Sequence, residues 1–330
     1  MIDVSSVIVS SRVRLARNLE GVPFKTDQKG IFEPVAKTIK EGNQNFLATK
    51  ISEIGNDMAK ALYELHLISK ELLENKANSM IVTKNDNKVC VMLGEEDHLR
   101  IQAIETGLNL KKAFDAAKKI ADGVDKNHDI AFRQDFGYIT SCPTNLGCGM
   151  RASVMLFLPA LTMTNQIEVI INELKDKRIT VRGVYGEGSE AGGNMYQISN
   201  QACLGMSEQQ ILETVEAVTL GVAEAELKLQ QKLFKENPDE IIDHVYRSWG
   251  ILTHAHMLSS SEAVEHLAFL KLGSCLKIIE FKNHRIIDDL FFIIQPATLT
   301  TQDTRAASVR ARDKIRAARV TEVLRTSRVR

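Results

Sequence analysis

Residues 141–153 read Ser-Cys-Pro-Thr-Asn-Leu-Gly-Cys-Gly-Met-Arg-Ala-Ser, a run too rich in Pro, Gly and Asn for ordinary helix or sheet interior. The pattern predicts a shaped loop, followed by an apolar helix over residues 152–161. Cys142 then lies near the cation Arg151 and just upstream of a helix N-terminus. Both settings stabilise a thiolate, and both attract anions.

Three further segments share this character. Residues 10–17 place Arg12 and Arg14 on one face of a predicted strand, because strand side chains alternate. Residues 94–100 pack Glu95, Glu96, Asp97, His98 and Arg100 behind a glycine. Residues 182–190 follow a β-like run and are too Gly-rich to continue it. Together Arg12, Arg14, Arg100, Arg151 and Arg182 suggest a cage for a polyanion such as a nucleoside triphosphate, since the planar guanidinium fork suits phosphate oxygens. Glu96 and Glu187 in the same turns require something cationic or polar as well. Phosphates on one side and a cation on the other describe phosphoryl transfer to a basic acceptor.

The rest of the chain bounds the architecture. Its 330 residues, 44% apolar and 25% charged, suit a globular protein of two domains. No apolar run reaches the length of a membrane span, and the N-terminus lacks signal-peptide features. Five scattered cysteines without a CxxC pair argue against a disulfide framework or zinc site, so a reducing cytoplasm is expected. Residues 80–83 and 88–93 predict a hairpin, and strands recur at 179–184 and 195–199. Helical spacing marks residues 110–124, 167–174 and 211–233. Mixed order with hairpins predicts an α+β fold, an antiparallel sheet flanked by helices. The pattern breaks near Pro238, after which helices are expected at 240–248, 261–272, 285–294 and 305–324. The predicted division is 1–234 for a catalytic domain and 235–330 for an all-helical C-terminal domain. Residues 301–330 carry eight Arg and one Lys against two Asp and one Glu. By spacing alone that end is a solvated basic helix or a nonspecific nucleic-acid patch. His254 and His256, without a third ligand, read as surface or interface.

The four segments resemble the phosphagen (guanidino) kinases, most closely the bacterial protein-arginine kinases of the McsB type. The family patterns SSRxRLARN, EEDHLRIQ, SCPTNLGTGxRASVM and RGxYGEGSEAxGNxYQISNQ correspond here to residues 10–18, 95–102, 141–155 and 182–201. Small-molecule members carry a helical domain before the first of these segments. Its lack of room here implies an open acceptor side, suited to a guanidinium presented on a protein.

The resemblance implies a nucleotide site, for ATP with Mg2+, formed by Ser10, Ser11, Arg12, Val13 and Arg14, by Arg100, and by Arg151, Ala152, Ser153, Val154 and Met155. Arg182, Gly183, Val184, Tyr185, Gly186 and Glu187 extend it. His66 aligns with a histidine near the adenine. Glu96 and Glu187 match the carboxylates that clamp the acceptor guanidinium, and Asp97 is an ion-pair or supporting group. Such an acceptor is a poor nucleophile with a pKa above about 12, so two carboxylates would align it and bias a proton to leave. Cys142 matches a reactive cysteine that tunes the electrostatics without a covalent intermediate. Cys148 replaces the usual Thr and raises the possibility of a disulfide within the loop, and Gly192-Gly193 replaces Leu-Gly, implying a looser acceptor loop. Arg312, Asp313, Arg316 and Ala317 match the RDxxRA motif of a regulatory phosphoarginine site, the two arginines gripping one phosphate from one helix face. The family further implies a homodimer, arginine-bearing protein substrates, a zinc-containing activator, a heat-shock repressor and a Clp unfoldase-protease, with neither membrane nor nucleic acid as partner. The alternatives are a kinase for free arginine and a non-catalytic phosphoarginine-reading or nucleic-acid-binding regulator.

Overall fold

The computed structural model describes residues 3–26, 28, 30–42, 45–84, 86–184, 192–283 and 285–328. An eight-stranded antiparallel sheet forms its centre, in the order β2-β3-β4-β5-β1-β8-β10-β9. The strands are β1 (Ile8–Arg17), β2 (Phe46–Lys50), β3 (Met80–Lys84), β4 (Val89–Leu93), β5 (Leu99–Thr106), β8 (Met150–Phe157), β9 (Ile179–Gly183) and β10 (Met195–Asn200). The short strands β6 (Phe132–Arg133) and β7 (Gly137–Tyr138) form a separate hairpin.

Alternation in β1 sorts its residues by face. Val13 and Leu15 are fully buried in the main core, which helix α1 (Glu33–Gly42) and helix α4 (Leu110–Asn127) help to cover. Arg12 and Arg14 point the other way. Ser11 belongs to the core face, where its hydroxyl donates to the Gly107 carbonyl at 2.7 Å and accepts from Asn109 N–H at 2.9 Å. Helix α2 (Asn56–Glu64) and the five-residue α3 (Lys70–Glu74) follow β2 in the chain, and their Leu62 and Leu72 join Ile51, Leu67, Ile81 of β3 and Met92 of β4 in a smaller core.

The helix expected over 152–161 is instead β8 followed by the short α5 (Pro159–Met163). An unbroken apolar run does not distinguish a buried helix from a central strand. Here β1 and β10 flank the segment and absorb its backbone hydrogen-bonding groups. Cys142 therefore precedes a strand, and no helix N-terminus lies just behind it. Helix α6 (Ile167–Lys175) precedes β9, and the 29-residue α7 (Glu208–Glu236) opens on a capping box made by Ser207 and Gln210.

The chain breaks at Asn237 and restarts with Pro238 at the head of α8 (Pro238–His254), where a missing N–H costs nothing. Then come α9 (Ser260–Cys275), α10 (Ile286–Ile293), α11 (Pro296–Gln302) and α12 (Val309–Ser327). A second core joins these helices to Val9, Phe157, Val184 and Met195 at one end of the sheet. Gly193 sits in this seam at φ 64°, and a Cβ there would lie 2.6 Å from the Phe291 ring. Gly193, the glycine that the usual Leu-Gly pair also carries, is thus a close-packed contact; the departure lies at Gly192.

Glu64, at the end of α2, fastens the sheet region to the C-terminal helices. Its carboxylate accepts from Ala297 N–H at 2.9 Å, Thr298 N–H at 2.7 Å and the Thr298 hydroxyl at 2.9 Å. Glu64→Ala should cost about 2 kcal/mol by stranding these donors, read as a lower denaturant midpoint. An unchanged midpoint would mean that the seam holds without it.

Candidate active site

Cross-strand register gathers the cations. Arg12 faces Ser153, Arg14 faces Arg151, and Arg14 faces Gln102 on its other side, while Ala16 pairs with Arg100. Ser199 pairs with Ser153, and Gln197 with both Met155 and Arg182. Paired residues share a sheet face, so strands distant in sequence present one surface. Arg12, Arg14, Arg100, Arg151 and Arg182 all line one cavity of about 340 Å³, together with Glu96 and Cys142.

Little in the protein neutralises this group. Arg12 donates to Gln197 Oε1 at 3.0 Å and Arg151 to Ser199 Oγ at 2.8 Å, both neutral acceptors. Arg14 makes no ion pair among the described residues, and its Nε is buried without a partner there. Burial, then the Arg100 and Arg151 charges, pushes Arg12 down to about 10. Burial, then Arg12, Arg100 and Arg151, holds Arg14 well below the usual arginine value, with Glu95 opposing. Burial, then Arg182 and Arg100, lowers Arg151. Guanidinium groups keep their protons in proteins, so the crowding registers as a demand for anionic charge.

The acidic turn divides its labour. The Glu95 side chain, 0% exposed, meets Arg100 Nη1 at 2.6 Å and acts as a buried strut. Glu96 is 40% exposed, only 3.6 Å from Arg100 Nη2, and faces the cavity. Burial, then Asp97, raises its pKa, with Glu95 and Glu71 adding to the rise and Arg100 opposing it. Asp97 is wholly buried and pairs with no cation among the described residues. One of its oxygens accepts from Asn18 Nδ2 at 2.8 Å and from Ser141 N–H at 2.7 Å, tying the acidic turn to the Cys142 loop. His98 accepts at Nδ1 from Leu19 N–H at 3.0 Å and reaches the Pro23 carbonyl through Nε2 at 2.8 Å. These partners assign the proton to Nε2 and make His98 structural.

The loop itself is anchored by backbone. Tyr138 N–H donates to the Gly147 carbonyl at 2.7 Å, and Ala16 N–H to the Gly149 carbonyl at 2.7 Å. Gly149 has φ 66°, and a Cβ there would lie 2.8 Å from the Ala16 carbonyl, so the backbone approach needs glycine. Cys142 Sγ lies 3.0 Å from Thr144 Oγ1 at the cavity edge. All five cysteines are free thiols, and Cys148 associates with Cys203, which donates to the Met150 carbonyl at 2.6 Å. The disulfide considered between Cys142 and Cys148 is not formed.

A second cavity of about 370 Å³ shares Arg12 and Gln197 with the first. Ser10, His66, Ser153 and Met155 line it. His66 has φ 58°, and its carbonyl accepts from Gln102 Nε2 at 2.8 Å. Burial, then Arg12 and Arg14, pushes its imidazole down to about 4, so it is neutral at physiological pH.

Not every expected residue reaches these cavities. Val13, Ala152 and Val154 lie in the main core on the opposite face, with Ser11, while Val184 belongs to the second core. Arg182 and Gly183 continue β9 rather than leaving it. Tyr185, Gly186 and Glu187 lie outside the described residues. Conversely, Ser69, Glu71, Thr144, Asn145, Gln197 and Ser199 line the arginine cavity without having been expected. For Gln197 and Ser199 a signal existed, since strand alternation places them on the face of Arg182 once β9 and β10 pair.

The RDxxRA residues are placed differently from the expectation. Arg316 is 1% exposed, with Nε donating to the Ile294 carbonyl at 2.9 Å and Nη1 to the Leu258 carbonyl at 2.7 Å and Asp313 at 2.6 Å. Arg312 reaches the Ala306 carbonyl at 3.3 Å. In this conformation the two forks do not converge on one phosphate, because Arg316 is a buried strut.

Two outcomes follow for the cavity. Arg14→Met should raise the midpoint of thermal unfolding by a few degrees, relieving buried like-charge crowding, while weakening ATP binding about 10- to 100-fold. Loss of stability in that variant would contradict the crowding. For His66, the fold holds a neutral ring that the unfolded chain protonates below about pH 6.5. Stability is therefore complete above that pH and falls as pH drops toward about 4, by on the order of 2–3 kcal/mol. His66→Asn, which tolerates the left-handed backbone, should flatten the acid limb of a stability-versus-pH curve.

Comparison with known proteins shows the family of the chain. Residues 28–229 match the family described as ATP:guanido phosphotransferase, C-terminal catalytic domain. Residues 238–329 match the protein-arginine kinase McsB C-terminal domain. The protein-arginine kinase of Bacillus pumilus is 40% identical over 332 residues, covering 97% of this chain and 91% of its own. That of Pelotomaculum thermopropionicum is 39% identical over 323 residues, covering 95% and 91%. Among solved structures, lombricine kinase superposes with a TM-score of 0.58 at 25% identity, covering 70% of this chain and 69% of its own. The duplicated taurocyamine kinase of Schistosoma mansoni with bound transition-state-analogue components gives 0.58 at 27% identity, covering 67% and 33%. The chain belongs to the ATP:guanido phosphotransferase family and, within it, to the protein-arginine kinases.

Proposed function

We propose that this protein transfers the γ-phosphoryl group of Mg·ATP to the guanidinium of arginine side chains in other proteins. The observation that carries the reading is the five-arginine cavity, short of counter-charge among the described residues, with a carboxylate and a thiol at its edge. The arginines hold the phosphates and stabilise the charge that spreads over the transferring group. The acceptor nitrogen attacks the γ-phosphorus opposite the bridging oxygen. A P–N bond forms, the P–O bond breaks to release ADP, and the acceptor gives up one proton.

Glu96 is the described carboxylate placed to orient the acceptor and take that proton. Its raised pKa makes it a better proton acceptor than a solvated glutamate. Glu187 serves as the second clamp, and Cys142 offers a polarisable neighbour at the cavity edge. Glu71, a further acid lining the cavity, adds to its attraction for a cation. Among the described residues no three acidic, histidine or cysteine side chains group to hold a metal. Glu96 and Glu71 are the described acids that would face a nucleotide-borne Mg2+, which would supply charge neutralisation.

The chain acts as two domains, 1–234 catalytic and 235–330 helical, with the latter supporting a homodimer. Arg312, Asp313, Arg316 and Ala317 form a regulatory phosphoarginine site, which requires Arg316 to leave its buried bonds. Stress-response partners, namely a zinc-containing activator, a heat-shock repressor and a Clp unfoldase-protease that takes the marked clients, complete the reading, in the cytoplasm. No described helix is long and apolar enough to cross a membrane.

Parallel assays with Mg·ATP on free arginine and on an Arg-rich unfolded protein test the acceptor class. Acid-labile phosphate on the protein, with little on the amino acid, is expected; the reverse would make this a small-molecule guanidino kinase. Glu96→Gln should lower kcat about 100-fold or more with ATP affinity nearly unchanged. Full activity in that variant would remove Glu96 from the mechanism. Arg312→Ala should blunt activation by added phosphoarginine while leaving ATP binding intact, and unaltered activation would remove the regulatory role.

A further inference from the structure

The cavity next to the arginine cage is built by two regions of the chain. On one side stand Val9, Ile104, Met155 and the neutral His66; on the other stands α10, through Arg285, Asp289 and Phe292. The two cavities meet at Arg12 and Gln197. A triphosphate held by the arginines would therefore have its nucleoside beside the second cavity, against α10. A largely apolar slot with a few fixed polar groups is what a nucleoside needs.

Helix α10 is held firmly enough to act as a wall. Lys271 on α9 forms a buried ion pair with Asp288. The Ile294 carbonyl at its C-terminal end accepts from Arg316 Nε at 2.9 Å. Phe292 meets the His66 ring edge-on, with centroids 6.0 Å apart. Asp288 is thus committed, whereas Asp289 is exposed and makes no ion pair among the described residues. The guanidinium of Arg285 lies over Gly107, where a Cβ would come within 3.0 Å of Nη2. Its Nη1 is buried with no hydrogen-bond partner among the described residues.

We propose that α10 is the outer wall of the nucleoside end of the ATP site, with Phe292 packing on the base and Asp289 accepting a hydrogen bond from the nucleoside. The proposal rests on the reading of the arginine cavity as the triphosphate site. Nucleotide affinity then depends on the packing of the C-terminal helices as well as on the sheet. A nucleoside offers two donors to Asp289, the exocyclic amine of the base and the ribose hydroxyls.

The test is calorimetric binding of ATP, 2′-deoxy-ATP, ITP and inorganic tripolyphosphate to the full chain, as wild type, Phe292→Ala and Asp289→Ala. Phe292→Ala should raise the Kd of ATP about tenfold and leave tripolyphosphate unchanged, since tripolyphosphate fills the arginine cage alone. Asp289→Ala, at an exposed position that does not threaten the core, should weaken ATP and abolish its preference over one analogue. Loss of preference over 2′-deoxy-ATP assigns the ribose, and over ITP the base; either supports the proposal. Unchanged ATP affinity in both variants overturns it, as does equal weakening of ATP and tripolyphosphate. Wild-type protein that binds neither ligand overturns the triphosphate reading itself.

Discussion

Crowding of like charge on one face of a β-sheet governs this molecule. Arg12, Arg14, Arg100 and Arg151 come from three adjacent strands, and burial, then the charge of neighbouring guanidinium groups, lowers the proton affinity of Arg12, Arg14 and Arg151. The buried Glu95, bonded to Arg100, is the main fixed counter-charge described. Such an arrangement costs stability in the empty protein, and an anion relieves the cost on binding. The remaining architecture keeps these side chains from turning away. The main core anchors the opposite face of β1, and Gln197 and Ser199 hold two of the guanidinium groups by neutral acceptors.

Two adjacent glutamates have opposite fates because of one backbone turn. Gly94 adopts φ 77°, where a Cβ would lie 2.7 Å from the Asn78 carbonyl, and this fixes the turn that follows. Glu95 is thereby directed inward to Arg100, while Glu96 faces the cavity. Asp97 and His98 bind the turn to Asn18, Ser141, Leu19 and Pro23. The turn bearing Glu96 and the loop bearing Cys142 are thus joined through Asp97, and such coupling suits the orientation of a weak nucleophile.

The C-terminal helices reach the surroundings of the second cavity by short, specific bonds. Glu64 caps the start of α11 two residues before His66, and Arg316 holds the end of α10 two residues after Phe292. Motion of Arg316 would therefore be felt at a wall of the second cavity without any long relay. The bonds Arg316 makes inward, and not its exposure, are what a regulatory ligand would have to exchange.

Much of the site was legible in the chain itself. Alternation placed Arg12 and Arg14 on one strand face, and glycine-bounded turns marked the Glu96 and Cys142 segments, because local backbone chemistry leaves local traces. The antiparallel α+β class and the break at Pro238 were legible for the same reason. Residues 152–161 were not, since an apolar run becomes strand or helix according to its neighbours, and here β1 and β10 claim its backbone. Nor was Arg316, whose RDxxRA spacing is equally compatible with a phosphate grip and with an internal strut. Sequence by itself determined which residues carry charge, where the backbone must turn and which faces are apolar. Only the tertiary structure decided that Glu95 is the strut and Glu96 the acid that faces the cavity, that Ser11 turns from the cavity, and that α10 faces His66. Those outcomes depend on pairings between segments far apart in the chain, which no local pattern encodes.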